Sequence, residues 1–165
     1  MRFVWIALRA LVYLMLLGSL FGLVALSLRD MDTQLGAQLP AGMRTMGASV
    51  MAAGAVLALW CAFIFVARGE GTPAPFDPPR RFVVRGPYRW VRNPMVIGVL
   101  AVMLGFGLWN LSVSIVLFSA VVAVCIGLFV ILVEEPGLSA RFGSEYEDYR
   151  ASVSRWIPRK PPSRE

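Results

Sequence analysis

Leu111 to Val133 is a stretch of 23 residues without a single charge, and it constrains this chain more than any other feature. As an α-helix rising 1.5 Å per residue it reaches about 35 Å, enough to cross a hydrocarbon core of about 30 Å. Two earlier runs are also long enough to cross, Phe3 to Leu28, whose one charge is Arg9, and Met46 to Ala67. A fourth, Pro94 to about Leu108, is shorter. Only 16% of the residues are charged and 58% are apolar, against roughly a quarter charged in a soluble domain. The expected fold class is therefore all-α and integral to a membrane, with four transmembrane helices.

The polar segments fix the rest of the layout. Arg29 to Met43 is a loop punctuated by Pro40 and Gly42. Arg68 to Asn93 carries Arg68, Arg80, Arg81, Arg85, Arg89 and Arg92 against Glu70 and Asp77, and its prolines forbid a continuous helix. An irregular loop is expected over Gly69 to Pro79, with a short extended piece from Arg81 to Val84. Pro94 suits the first turn of the third span, where a missing N–H costs nothing. Trp109-Asn110 makes a tight turn, so spans three and four form a helical hairpin. That hairpin returns Glu134 and Glu135 to the end where Arg92 and Asn93 lie. Beyond it, Ser144 and Glu147 fit a capping box. Phe142, Tyr146, Tyr149, Val153 and Trp156 recur at helical spacing, which describes a C-terminal amphipathic helix over the polar junction. Arg159 to Glu165 reads as a frayed end. One domain is expected: residues 1–67 give two helices, and residues 68–165 give the loop, the hairpin and the amphipathic helix.

Charge sets orientation. The 68–93 loop holds six arginines and the tail from Glu134 six Lys and Arg, whereas the 29–45 loop holds two, offset by Asp30 and Asp32. The positive-inside rule puts the arginine-rich loop and both termini in the cytoplasm. In a bacterial chain the membrane is the inner, plasma membrane. The net charge of +6 flanks apolar spans and forms no solvated run, so it speaks for lipid headgroups and against nucleic acid. Arg9 and the absence of a small-residue cleavage site favour a retained first helix over a signal peptide. Gly18 and Gly22 in that helix have the spacing that allows close helix packing. The Gly- and Ala-rich start of the second span is expected to pack tightly on a neighbour.

Chemistry has few carriers here. There is no histidine, which excludes His-based acid–base catalysis and His metal sites. Cys61 and Cys125 lie inside apolar runs and show no metal spacing. Glu134 and Glu135 close a charge-free span at what reads as a helix C-terminus, where the dipole disfavours carboxylates. A partner is expected there, either an arginine or a cationic ligand. Arg92 precedes Asn93-Pro94, and the helix N-terminus there suits an anion. Tyr88 and Trp90 are interfacial aromatics or pocket walls.

In this order the residues carry a resemblance. Gly71-Thr72-Pro73-Ala74-Pro75, Pro78-Pro79, Gly86-Pro87-Tyr88-Arg89, Arg92-Asn93-Pro94, Gly98, Glu134-Glu135, Phe142, Tyr146 and Tyr149 resemble the isoprenylcysteine carboxyl methyltransferase and phospholipid methyltransferase superfamily. The likeness runs from about residue 68 to 158. It implies a membrane methyltransferase that uses S-adenosylmethionine on a lipophilic acceptor drawn from the bilayer, either an isoprenylcysteine-like carboxylate or a phospholipid-type amine. Arg92, Glu134 and Glu135 are implied as catalytic. Tyr88, Arg92, Asn93, Pro94, Gly98, Glu135, Tyr146 and Tyr149 are implied as cofactor-binding, with Arg92 and Asn93 at the carboxylate end and Glu135, with Glu134, at the ammonium or ribose. No metal is implied. Two positions depart from the family pattern, which reads Arg-His-Pro-x-Tyr-x-Gly: Asn93 stands for His and Val96 for Tyr. Val96 keeps a second reading open, a non-catalytic membrane scaffold or assembly protein on the same fold. A small transporter is disfavoured because few polar residues line the spans.

Overall fold

The computed structural model describes residues 2–36, 38–69 and 84–158. The loop expected over 69–79, apart from Gly69, the piece at 81–84, apart from Val84, and the frayed end 159–165 lie outside the described residues. Among the described residues every regular element is helical. α1 is Arg2–Leu28, α2 Met31–Leu35 and α3 Met43–Ile64, which continues as a π-helical turn, Phe65–Gly69. A 3₁₀ turn, Gly86–Arg89, leads to α4, Pro94–Trp109. α5 is Val113–Phe129, followed by a second π turn, Val130–Glu134, then α6, Glu135–Phe142, and α7, Ser144–Ser152.

Among the described residues three helical segments are long and apolar enough to cross a membrane: Leu11–Leu28, Met43–Ala67 and Val113–Phe142. α4 is equally apolar but, at 16 residues, spans only about 24 Å. The all-α membrane class holds, and α4 falls short of a full span by length. Most of the outward surface of α1, α3 and α5 is apolar side chain, including Leu16, Leu23, Val56, Phe63 and Val124. Such a surface is at home in lipid and not in water.

Close backbone contact between α3 and α4 forms the most extensive interface. It is built from glycines, as the small residues of the second span lead one to expect. A Cβ at Gly54 would lie 2.6 Å from the Gly98 carbonyl oxygen, and one at Gly105 would lie 2.6 Å from the Met51 amide nitrogen. Gly47 meets Gly105, Leu108 and Trp109 in the same way. Without a hydrophobic drive between helices in lipid, this intimacy and its dispersion contacts hold the pair together. α1 is held more loosely. Phe21 stacks on Phe118 at 5.5 Å and meets Phe106 edge-on at 6.2 Å. A Cβ at Gly18 or Gly22 would meet nothing within 4 Å, so this face is unused among the described residues.

At the far end of the hairpin the turn is tight. Leu111 has φ 55°, a left-handed conformation that costs a non-glycine residue about 1 kcal/mol or more. Ser112 caps α5 by accepting the Ile115 N–H at 3.1 Å. Asp32 reaches across from α2 and accepts the Ser114 N–H at 2.8 Å. The loop expected from Arg29 to Met43 thus contains a short helix with a capping role.

Two expectations fail at the other end. Glu134 and Glu135 do not end a helix. The chain widens into a π turn, with the Glu135 N–H on the Val130 carbonyl, and runs on through α6. Pro136 explains the turn, because its missing N–H and its ring are incompatible with an uninterrupted α-helix. The capping box at Ser144 is also absent. Gly143 (φ 55°) precedes α7 with no side-chain cap, and Glu147 instead accepts a hydrogen bond from Ser139 Oγ at 2.6 Å. The amphipathic helix therefore divides at Gly143, with Phe142 on α6, and ends at Ser152.

Candidate functional site

The junction between the 3₁₀ turn and α4 meets α6, α7 and the segment after α7. Its framework is backbone. The Arg92 N–H donates to the Ser154 carbonyl at 2.9 Å, and Asn93 Nδ2 to the Arg155 carbonyl at 3.4 Å. The Tyr149 hydroxyl donates to the Tyr88 carbonyl at 2.6 Å. These bonds explain why the aromatic stripe stops being helical. Val153 turns extended (φ −120°, ψ 129°), so the chain after it lies along residues 88–93 as a strap. Tyr146, Tyr149 and Val153 are buried together with Val84, Leu138 and Phe142 partly packed on them. The stripe was correctly read as apolar, and tertiary partners set its backbone.

Glu135 is the electrostatic centre and is only 5% exposed. Arg155 grips both its oxygens, Nε to Oε1 at 2.7 Å and Nη2 to Oε2 at 2.8 Å. Arg92 Nη1 lies 3.2 Å from Oε1. That is ion-pair distance, but the N–H is not directed at the oxygen. Arg92 Nε and Nη1 are accordingly buried with no hydrogen-bond partner, on a side chain only 9% exposed. A buried donor left unsatisfied costs about 1–3 kcal/mol, more when charged, so a site that tolerates two is one where a ligand can supply the acceptor. The Tyr146 hydroxyl lies against the same guanidinium. Burial and the Glu135 charge push the Tyr146 phenol above its usual value, with Arg92 opposing. The hydrogen bond to Glu135 likewise raises Arg155 above its usual value.

The remaining expected residues divide. Asn93 precedes α4 but does not cap it with its side chain. Pro94 is buried in the first turn and faces an apolar groove with Leu57, Trp60, Pro87, Trp90 and Ile97. Gly98 sits in the α3–α4 seam, where a Cβ would meet Ala58 N at 2.8 Å, so its place is in helix packing. Tyr88 turns its ring toward α3, edge-on to Phe65 at 5.2 Å and against Cys61, and offers the junction its carbonyl. Burial raises its phenol well above the ordinary value. Glu134 is exposed and makes no ion pair among the described residues. Arg92, Asn93, Glu135, Tyr146 and Tyr149 come together as expected. Arg155 is the residue that sequence reasoning missed. It lay one position from the stripe residue Trp156 and read as one more positive-inside arginine.

A second groove, lined by Ile131, Pro136, Ser139, Glu147 and Arg150, opens onto Glu135 and Arg155. The Pro158 end of the strap borders the first groove and Arg155 the second, so the strap touches both. No metal-binding cluster of His, Cys, Asp and Glu exists among the described residues. The chemistry on offer is anion binding: a buried guanidinium, two of whose nitrogens lack a hydrogen bond, at the N-terminus of a 16-residue helix whose dipole adds to its charge. The donor set suits a ligand with a carboxylate.

A family model described as phospholipid methyltransferase matches residues 43–145, more than half of the chain. No curated protein and no solved structure is matched. The matched stretch runs from the start of α3 into α7, so it takes in the glycine seam, Arg92 and both glutamates but stops short of Arg155.

Proposed function

The chain belongs to the phospholipid methyltransferase family, a family of membrane methyltransferases, and from that premise we propose that it transfers a methyl group from S-adenosylmethionine to a lipophilic acceptor at the cytoplasmic membrane surface. The observation that carries the cofactor half is the pair of buried nitrogens on Arg92 that make no hydrogen bond. Arg92 and the first turn of α4 take the cofactor carboxylate. Glu135 is held by Arg155 beside Arg92, and Glu134 takes the ammonium or the ribose diol. Tyr146 and Tyr149 close the tail over the site, with Tyr149 locked to the Tyr88 carbonyl.

α4 is read as a span in its own right, the third of four in chain order. Packed tightly on α3 and only about 24 Å long, it sinks its Arg92 end below the headgroups, where desolvation strengthens each charge. The positive-inside rule assigns the 68–93 segment, with its six arginines in sequence, to the cytoplasmic side. The apolar groove beside Pro94, Trp60 and Trp90 opens toward lipid and admits the acceptor. When bound, the cofactor supplies an electrophilic methyl on a cationic sulfur. The protein's part is to hold the two reactants in line and exclude water. A carboxylate acceptor is already a nucleophile and needs no base. An amine must first lose a proton, and for that acceptor Glu134 would be the base rather than the ligand of the cofactor ammonium.

The test is calorimetry of S-adenosylhomocysteine binding to protein in detergent, wild type beside Arg92→Gln and Arg92→Lys. Loss of binding in both variants supports the carboxylate site, since lysine keeps charge but not the planar fork. Folded wild type that binds nothing refutes the enzyme reading. It then favours the scaffold, with Val96 as the first position to restore to tyrosine.

A further inference from the structure

Two guanidiniums share one carboxylate at Glu135 in a poorly solvated place. How that carboxylate is apportioned decides whether Arg92 can receive a ligand. A carboxylate and a guanidinium left alone close into a two-point fork. Here the fork belongs to Arg155, with contacts of 2.7 and 2.8 Å, while Arg92 is left at 3.2 Å with its N–H directed elsewhere. The strap fixes this choice, because the Arg155 carbonyl accepts from Asn93 and the Ser154 carbonyl from the Arg92 N–H. Both ends of Arg155 are therefore tied to the junction.

From this we infer that Arg155 is a positioning residue: by holding both oxygens of Glu135 it stops that carboxylate from quenching Arg92, and so keeps Arg92 open to a ligand carboxylate. The inference rests on the reading that the junction takes the carboxylate end of the cofactor. Nothing in the matched family region covers Arg155, since the match ends ten residues before it. In Arg155→Gln, Glu135 loses its fork and swings onto Arg92. In Arg155→Gln/Glu135→Gln, residue 135 carries no charge and Arg92 is open again.

Two probes separate the effects, S-adenosylhomocysteine and methylthioadenosine, which shares the nucleoside but has no amino-acid carboxylate. Titration of wild type, Arg155→Gln, Arg155→Lys and the double variant in detergent gives four affinities for each. Arg155→Gln is expected to weaken S-adenosylhomocysteine about tenfold or more and methylthioadenosine by less than about twofold. The double variant is expected to regain most of the loss. Arg155→Lys falls between, because an ammonium cannot span both oxygens. A double variant no better than the single overturns the inference. So does an equal loss for both probes with a lowered unfolding midpoint, which marks a structural role alone. Wild type that binds while Arg155→Gln binds equally well overturns the Arg155 role and leaves the cofactor site standing. Wild type that binds neither probe overturns both.

Discussion

Gly105→Ala tests whether backbone contact is what holds α3 to α4. An added Cβ would sit 2.6 Å from Met51 N, 2.7 Å from Gly47 O and 2.8 Å from Met51 Cα. All three are backbone atoms, so no side chain can rotate aside. Ordinary contact begins at 3.4 Å, and the helices must part locally by about 0.8 Å. A gap of that size forfeits a quarter to a half of each contact's dispersion energy along the seam. Overpacking against an unyielding wall costs about 3 kcal/mol, and the better helix propensity of alanine returns about 1, leaving a loss of about 2 kcal/mol. For a chain of this length that lowers the unfolding midpoint by roughly 4–8 °C. The assay is thermal unfolding in detergent micelles followed by circular dichroism, with Gly18→Ala as the matched control. Gly18 has nothing within 4 Å, so its alanine should be neutral or stabilising. If Gly105→Ala melts no lower than Gly18→Ala, the seam argument is wrong and α3 and α4 are held by something else.

Other expectations follow from the same contacts. Tyr149→Phe removes the hydroxyl that satisfies the buried Tyr88 carbonyl and should cost about 1–3 kcal/mol, read by the same melts. Asp32 at the opposite end should behave as a cap. Its burial opposes ionisation, but hydrogen bonds from Ser112 and Ser114 and the Arg29 charge outweigh it and hold the carboxyl below its ordinary 3.8. A depressed folded-state value means the stabilisation is fully present above about pH 4 and is lost as pH falls below 3.8 and through the folded-state value. Asp32→Asn should therefore melt lower at neutral pH by about 1 kcal/mol and lose that part of the acid sensitivity, whereas an unchanged acid limb would remove Asp32 from the account. The Arg150–Glu147 contact at 3.5 Å is exposed, and Arg150→Ala should shift the midpoint little.

The sequence determined whatever follows from composition and period. Charge-free runs longer than a bilayer core can only be helices in lipid, because every backbone group must find its partner inside its own segment. The Arg-Asn-Pro junction, the Glu-Glu pair and the aromatic stripe were likewise legible, as was the meeting of Arg92 with Glu135, because a hairpin has to return its ends to one side. What tertiary structure decided is how the polar groups share one another. Pro136 turned an expected helix end into a π turn, which carried the glutamates into a continuing helix. A carbonyl taken by the Arg92 N–H pulled residues 153–155 out of an expected helix and brought in Arg155, sixty-three positions along the chain from Arg92. Gly98, which by motif belonged to the site, went to the seam with α3. Hydrophobic period depends on each residue alone and survives in one dimension. Pairing of charges depends on distances of 2.7 against 3.2 Å, and only the folded chain sets those.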